Sequence, residues 1–117
     1  MKKINLAITG CMGRMGRQII KTVKKDKSFK LTTLTENRKM NKKISGLKVH
    51  FNNEDVFKKV NLIIDFTIPK CTFEVLKIAS KLKKRVVIGT TGFSKKEENL
   101  IRMYSKKIPI LKAGNMS

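Results

Sequence analysis

Short apolar runs alternate along the chain with segments whose apolar residues recur at helical spacing. The runs are rich in Ile, Val, Leu and Thr and stop at polar residues or Gly, which is typical of strands buried in a sheet. The predicted strands are residues 4–9, 29–35, 61–66, 85–90 and 108–111, with a further short strand at 49–51. The predicted helices are 13–25, 69–83 and a segment after Ser94, with a brief helix from Asn53. This alternation predicts an α/β fold, a doubly wound parallel sheet with right-handed crossovers.

Helical spacing also predicts which face of each helix packs on the sheet. The predicted core-facing residues are Met15, Ile19 and Val23 in the first helix, Thr72, Val75, Leu76, Ala79 and Leu82 in the next long helix, and Leu100, Ile101 and Tyr104 in the last. Ser94 and Glu97 have the spacing of a capping box that starts the last helix. Residues 37–48 are polar and are predicted to form a loop.

A glycine-rich loop joins the first strand to the first helix. Its glycines are Gly10, Gly13 and Gly16, with the spacing G-x-x-G-x-x-G. Glycine permits a tight turn off a strand, a close approach of the backbone to a phosphate, and close packing of helix on strand. The helix start adds free N–H groups and a positive dipole end, and Arg14 adds a cation. The loop therefore predicts a dinucleotide site around Gly10, Gly13 and Arg14; the alternative is a glycine-rich turn that holds no ligand.

Four further distinctive segments follow strands, at the edge of the sheet where ligands of such folds bind. Glu36 ends the second strand, where dinucleotide-binding folds place the acid that holds the adenosine ribose. The next loop carries Arg38, Lys39, Lys42, Lys43 and Lys48, which suits either a 2′-phosphate or a solvated surface. The remaining segments are Asp65-Phe66-Thr67, Gly89-Thr90-Thr91-Gly92 and Ala113-Gly114-Asn115-Met116-Ser117. Together they predict one composite site.

Composition narrows the class of protein. The 117 residues suit one domain, and a hydrophobic content of 40% supports a packed core. No apolar run reaches membrane-spanning length, and the start of the chain lacks a secretory pattern. Cys11 and Cys71 have no metal or redox spacing and are predicted to be reduced thiols in a cytoplasmic protein. The lone His50 is predicted to be structural, and no metal site is predicted.

The charge is strongly positive. Lys and Arg number 28 against 8 Asp and Glu, giving a formal net charge of +20. This balance favours polyanionic partners, although the lysines are spread along the whole chain and aromatic residues make up only 6%. Non-specific nucleic-acid binding therefore stays open beside a surface that is simply well solvated.

The motifs GCMGRMG, DFTIP, VIGTTGF and AGNMS, in this order, resemble dihydrodipicolinate reductase, also called 4-hydroxy-tetrahydrodipicolinate reductase. The resemblance runs from Ile4 to Ser117. It implies a Rossmann domain that binds NADH or NADPH for hydride transfer in lysine and diaminopimelate biosynthesis. It also implies cofactor contacts in the glycine loop, at Gly10, Cys11, Met12, Gly13, Arg14 and Met15. Further implied contacts are Glu36, Gly89, Thr90, Thr91, Ala113, Gly114, Asn115 and Met116. Asn37 precedes Arg38 where the family often has Arg directly after the acid, so both NADH and NADPH remain open.

The family's paired-histidine motif, which belongs to a second, substrate-binding and tetramer-forming domain, does not occur in residues 1–117. We therefore expect this chain to form the nucleotide-binding domain alone, with no catalytic residues, and to bind the cofactor without turnover. Its oligomeric state is left open. Two other classes of function remain: a basic module that binds nucleic acid or another polyanion, and a non-catalytic NAD(P)H sensor, each on an inherited Rossmann scaffold.

Overall fold

The computed structural model describes residues 2–113, which form a seven-stranded sheet with helices on both faces. The strands are β1 (Ile4–Thr9), β2 (Phe29–Glu36), β3 (Lys43–Ile44), β4 (Leu47–Phe51), β5 (Leu62–Asp65), β6 (Arg85–Ile88) and β7 (Ile110–Lys112). The helices are α1 (Arg14–Lys25), α2 (Glu54–Phe57), α3 (Pro69–Leu82) and α4 (Lys95–Ser105). The predicted α/β fold is confirmed.

The strand order is β3-β4-β2-β1-β5-β6-β7, and every pair is parallel except β3 with β4. The chain first builds outward from β1 through β2 to β4, and then returns to place β5 on the other side of β1. This reversal beside β1 is the topological switch point at which doubly wound sheets leave a crevice for ligands.

Two apolar clusters fill the two faces of the sheet. One lies under α3 and α4 and includes Phe57, Ile63, Leu76 and Ile88, all fully buried. The other lies under α1 and is built around Leu6, Ile8 and Leu34 among others. Because β1 is central, its alternating residues serve both clusters, and this explains why its side chains from Leu6 to Thr9 are all inaccessible.

The predicted loop at 37–48 is wrong over its second half. Residues 43–51 form a hairpin of β3 and β4, turned at Ser45 and Gly46 with φ of 53° and 80°. Positive φ at both central residues is what a two-residue hairpin turn requires. The segment is polar overall because only one face of the hairpin reaches the core, through Ile44, Leu47 and Val49. The short strand predicted at 49–51 is the second half of β4, in which His50 lies opposite Thr35.

Two helix faces also differ from prediction. Met15 is 48% exposed, and the buried face of α1 is Gly16, Ile20 and Val23. The reason is that Gly16 packs directly on the glycine turn, which sets the rotation of the helix. In α4, Leu100 is 40% exposed while Ile101 is buried. The helix covers the edge of the sheet, so only a narrow apolar face of it contacts the core. The predicted stripe of α3 is confirmed from Thr72 to Ala79, with Leu82 partly buried.

Within residues 2–113, no helix combines the length and the apolar character needed to cross a membrane.

Candidate functional site

The carboxyl ends of the parallel strands gather most of the predicted site residues. A cleft of about 300 Å³ opens there between the turn after β1, the end of β2 and the segment after β5. It is lined by Gly10, Gly13, Glu36, Asn37, Phe66, Thr67, Ile68 and Cys71. The structure thus brings the glycine loop and Glu36 to one cleft, and adds the segment that follows β5.

The turn after β1 is held by backbone hydrogen bonds, two of them to the end of β2. Gly10 N–H and Cys11 N–H both donate to the carbonyl oxygen of Thr35, at 3.0 and 3.3 Å, and Gly13 N–H donates to Gly10 O at 3.0 Å. Gly10 has φ of +73°, and a Cβ there would lie 2.1 Å from Phe66 O. A Cβ on Gly16 would lie 2.2 Å from Gly10 O. Both glycines are therefore required by the fold itself.

Gly13 is different from its two neighbours in the motif. It is the N-cap residue of α1, with φ of −74°, which any residue adopts. The nearest atom to a Cβ built there is Gly10 O at 3.4 Å, an ordinary contact. Neither the backbone nor the surrounding protein therefore requires glycine at this position, although it lines the cleft.

The start of α1 lacks protein partners of the usual kind. No side chain caps it, and its first turn holds no acidic residue. Arg14 is its first residue and, like Met15, is exposed. A cation at this end opposes the helix dipole, so both the N–H groups and the charge favour an anion beside the turn.

Glu36 joins the end of β2 to the glycine loop. Its Oε2 accepts a hydrogen bond of 2.7 Å from Met12 N–H, and its side chain is half-buried at the cleft. One carboxylate oxygen thus holds the loop while Oε1 can accept from a ligand. Arg38, two residues further, is exposed, as is Asn37, whose Nδ2 contacts Cys71 Sγ at 3.2 Å.

Cys11 is fully buried within the glycine loop. Burial, reinforced by the nearby negative charge of Glu36, raises the pKa of its thiol from 9.0 to about 12. The thiol is therefore protonated and unreactive at neutral pH, which excludes Cys11 as a nucleophile. Its role in the loop is that of a small apolar side chain.

Sequence reasoning missed Asp65 as an individual site residue. This carboxylate is fully buried at the end of β5 and accepts hydrogen bonds from the hydroxyls of Thr9, Thr67, Thr72 and Thr90. The available signal was an acidic residue closing an apolar strand, NLIID, because a buried acid needs partners. The partners themselves come from four separate segments, which no local pattern indicates.

The loop after β6 lies beside this carboxylate. Thr90 is buried against Asp65, whereas Thr91 is exposed. A Cβ on Gly89 would lie 2.0 Å from the ring of Phe66, so Gly89 makes room for that ring. Beyond β7, Ala113 N–H donates to Ile88 O at 2.7 Å, which keeps Ala113 beside the same loop. Gly114, Asn115 and Met116, also predicted for the site, lie outside the described residues.

Among residues 2–113, no group of three His, Cys, Asp or Glu side chains is arranged to hold a metal ion.

Comparison with known proteins shows the family of the chain. The family described as dihydrodipicolinate reductase, N-terminus, matches residues 4–116. The chain belongs to the dihydrodipicolinate reductase family. A 4-hydroxy-tetrahydrodipicolinate reductase of Pelagibacter ubique is 68% identical over 100% of this chain and 45% of its own length. The corresponding protein of Bdellovibrio bacteriovorus is 40% identical over 100% of this chain and 46% of its own length.

Solved structures agree with the fold. Dipicolinate-bound dihydrodipicolinate reductase from Paenisporosarcina sp. TG-14 superposes with a TM-score of 0.78 at 25% identity, over 97% of this chain and 48% of its own. Homoserine dehydrogenase of S. aureus superposes with a TM-score of 0.77 at 15% identity, over 97% and 33% of the two chains, and supports the fold alone. The chain spans about half the length of the reductases that it matches.

Proposed function

We propose that this chain binds NADH or NADPH along the carboxyl edge of the sheet, as the nucleotide-binding part of a 4-hydroxy-tetrahydrodipicolinate reductase. In this proposal the pyrophosphate lies against the start of α1 and the adenosine ribose lies at Glu36. The nicotinamide extends toward the loop after β6, at Gly89, Thr90 and Thr91. Family membership and the name of the relatives support the reaction, and the geometry of the cleft supports the cofactor.

The observation that carries the proposal is Gly13. Glycine at an N-cap position with φ of −74° and an ordinary contact at 3.4 Å has no use within the protein. It has a use if a ligand occupies the space that a side chain would take. Because Gly13 sits at the uncapped start of α1, a ligand there meets the free N–H groups of the helix, and an anionic group such as pyrophosphate fits them.

Glu36 and Arg38 favour different cofactors at the adenosine end of the site. Oε1 of Glu36 is available to accept from a ribose hydroxyl while Oε2 keeps the glycine loop in place through Met12 N–H. This arrangement favours NADH, because a carboxylate repels a 2′-phosphate. The exposed guanidinium of Arg38 favours NADPH instead. We therefore include both cofactors in the proposal.

The bound cofactor supplies the hydride, and this chain's residues hold and orient it. The acceptor and a proton must come from elsewhere, since Glu36 and Cys71 are the titratable residues that line the cleft in the described part of the chain. Glu36 already has two uses there. We therefore propose that residues 1–117 alone bind the dinucleotide and do not reduce the substrate.

Calorimetric titration of the purified chain with NADH and with NADPH tests the cofactor. We expect saturable binding to at least one, retained at raised salt, and an Arg38→Gln variant that loses affinity for NADPH while its affinity for NADH is unchanged. Arg102→Gln, on the last turn of α4, is the matched control and changes neither affinity. Absence of binding to both cofactors would overturn the proposal, and steady-state substrate reduction by this chain would overturn the part about turnover.

A second candidate, binding of a polyanion, rests on a different surface. A groove of about 340 Å³ between α1 and the β3–β4 hairpin is lined by Arg17, Lys21, Lys42, Lys43, Ile20, Ile44 and Ser45, with no acidic residue. Affinity for duplex DNA that falls steeply with salt, in a chain that binds no dinucleotide, would support this candidate over the first.

A further inference from the structure

We infer that Asp65 is a positioning residue that fixes the nicotinamide side of the cleft, although it is too deeply buried to touch a ligand. The inference rests on the proposed function, because it concerns how the same site is held for a dinucleotide. It assigns Asp65 the task of orienting the Thr67 hydroxyl and the loop that contains Thr90. The juxtaposition that carries it is one buried carboxylate meeting hydroxyls from β1, α3 and the segments that follow β5 and β6.

Each oxygen of the carboxylate accepts two hydroxyl donors. Oδ1 accepts from Thr9 Oγ1 at 2.5 Å and from Thr67 Oγ1 at 2.9 Å. Oδ2 accepts from Thr72 Oγ1 at 2.5 Å and from Thr90 Oγ1 at 2.9 Å. Thr9 is the last residue before the glycine turn, so the same carboxylate links the pyrophosphate end of the site to the other end.

The hydrogen bonds have a defined direction. A carboxylate can only accept, so each of these hydroxyls directs its hydrogen inward to Asp65 and keeps its lone pairs for another donor. Thr90 is an example, because its Oγ1 also accepts a hydrogen bond of 2.8 Å from Thr67 N–H. Thr67 lines the cleft. Its Oγ1 lies 2.9 Å from Asp65 Oδ1, closer than to Ile68 O at 3.3 Å or Thr72 Oγ1 at 3.4 Å, so its hydrogen goes to the carboxylate and its oxygen is left as an acceptor. An amide N–H₂ group, such as that of a nicotinamide carboxamide, is a donor that fits it.

Burial of the Asp65 carboxylate costs free energy, and a role in the site explains why the acid is there. It is 0% exposed, and the partners described are neutral hydroxyls rather than a cation. Apolar residues of similar size would hold four segments together without the cost of removing a carboxylate from water. What apolar packing cannot do is fix the direction of hydroxyl hydrogens. The need to orient the hydroxyls of Thr67 and Thr90 therefore explains an acid at position 65, which packing alone does not.

Two ligands separate orientation from general stability. ADP-ribose contains the adenosine, the pyrophosphate and the second ribose of NADH but lacks the nicotinamide. Asp65→Asn keeps the shape of the side chain and replaces two acceptor positions with donors. We expect it to lower the affinity for NADH about tenfold and to leave the affinity for ADP-ribose within about twofold, measured by calorimetry on the full 117-residue chain. Asp55→Asn, at a side chain that is 90% exposed, is the matched control and changes neither affinity.

Each outcome decides the inference. Equal losses for NADH and ADP-ribose would mean that Asp65 only stabilises the fold, and unchanged affinity for both would mean that it has no role; either overturns the inference. Wild-type protein that binds neither ligand would overturn the proposed function instead. If Asp65→Asn does not fold, Thr72→Val takes its place, since it removes one donor from a residue that does not line the cleft. A selective loss for NADH then supports the inference, and an unchanged ratio overturns it.

Discussion

Helices α1 and α4 both begin with N–H groups that have no partner within the helix, yet their surroundings differ. At α4, Ser94 Oγ accepts from Glu97 N–H at 3.1 Å while Glu97 Oε1 accepts from Ser94 N–H at 2.8 Å. Glu97 and Glu98 also place negative charge in its first turn. At α1, the N-cap is Gly13, no side chain caps the turn, and the first charged residue is Arg14.

We interpret the difference as one of function, in line with the proposed site. The α4 end is complete within the protein, so its residues contribute to stability and leave no place for an anion. The α1 end is left incomplete and lies beside a cleft at the topological switch point, with Glu36 across from it. A fold selected for stability alone would cap both ends. The contrast therefore favours a ligand at α1, and the following changes test it.

The largest expected effect comes from disrupting the turn that places the start of α1. In Gly10→Ala, the new Cβ would clash with Phe66 O, 2.1 Å away, and the residue would keep a left-handed φ of +73°. We expect a loss of about 3 kcal/mol in the free energy of unfolding, measured by urea denaturation.

Gly46→Ala is the control for this variant. Gly46 also has positive φ, +80°, but nothing lies within 4 Å of its Cβ position. Only the conformational penalty applies, so we expect a loss of about 1 kcal/mol. Equal losses in the two variants would contradict the steric explanation of the glycine turn.

The next effect comes from giving α1 the kind of end that α4 has. In Gly13→Asp, a carboxylate can accept from the free N–H groups, and there is room for its Cβ. We expect the free energy of unfolding to rise by about 0.5 kcal/mol. We expect affinity for NADH to fall by more than about tenfold, because the carboxylate takes the place of the pyrophosphate and repels it.

Ser94→Ala is the mirror experiment at α4. It removes the cap from a helix end that we assign to stability, so the free energy of unfolding should fall by about 1 kcal/mol while the affinity for NADH stays the same. If Gly13→Asp left the affinity unchanged, or if Ser94→Ala lowered it, the assignment of the two ends would be wrong.

Much of this edge could be predicted from sequence because its signals are local. The bounds of β1, the start of α3 at Pro69 and the capping box at Ser94 all depend on neighbouring residues, and the structure confirms each. The prediction that Glu36 and the glycine loop lie at one edge of the sheet agrees with their contact through Met12 N–H. It succeeds because parallel strands align their carboxyl ends, so a residue's position in the fold can be inferred from its position in its own strand.

The features that sequence did not predict depend on packing between distant segments. The rotation of α1 follows from the contact of Gly16 with the turn, which buries Ile20 where Met15 was expected. The convergence of hydroxyls on Asp65 joins residues up to 56 positions apart. A Thr in a strand or a helix has many uses, and only the assembled fold shows that these four share one acceptor.

An effect of similar size to that of Ser94→Ala separates the two helix ends by pH. Burial raises the pKa of Cys11 in the α1 turn from 9.0 to about 12, whereas the capping box at α4 contains no cysteine. Above pH 9.0 the unfolded chain loses the thiol proton while the folded chain keeps it, so the folded state loses stability as pH rises toward about 12. Below pH 9.0 both states keep the proton, so the thiol adds no pH dependence to the free energy of unfolding.

We expect wild-type protein to lose about 1 kcal/mol more than Cys11→Ala between about pH 9 and pH 10, measured by urea denaturation at each pH. Subtracting the variant removes every contribution to the alkaline slope that the two proteins share. Cys11→Ala with the same alkaline slope as wild type would show that the thiol ionises as readily in the folded loop as in the unfolded chain. The glycine turn would then be open to water. It would not be the tightly packed turn on which the proposed role of Gly13 depends.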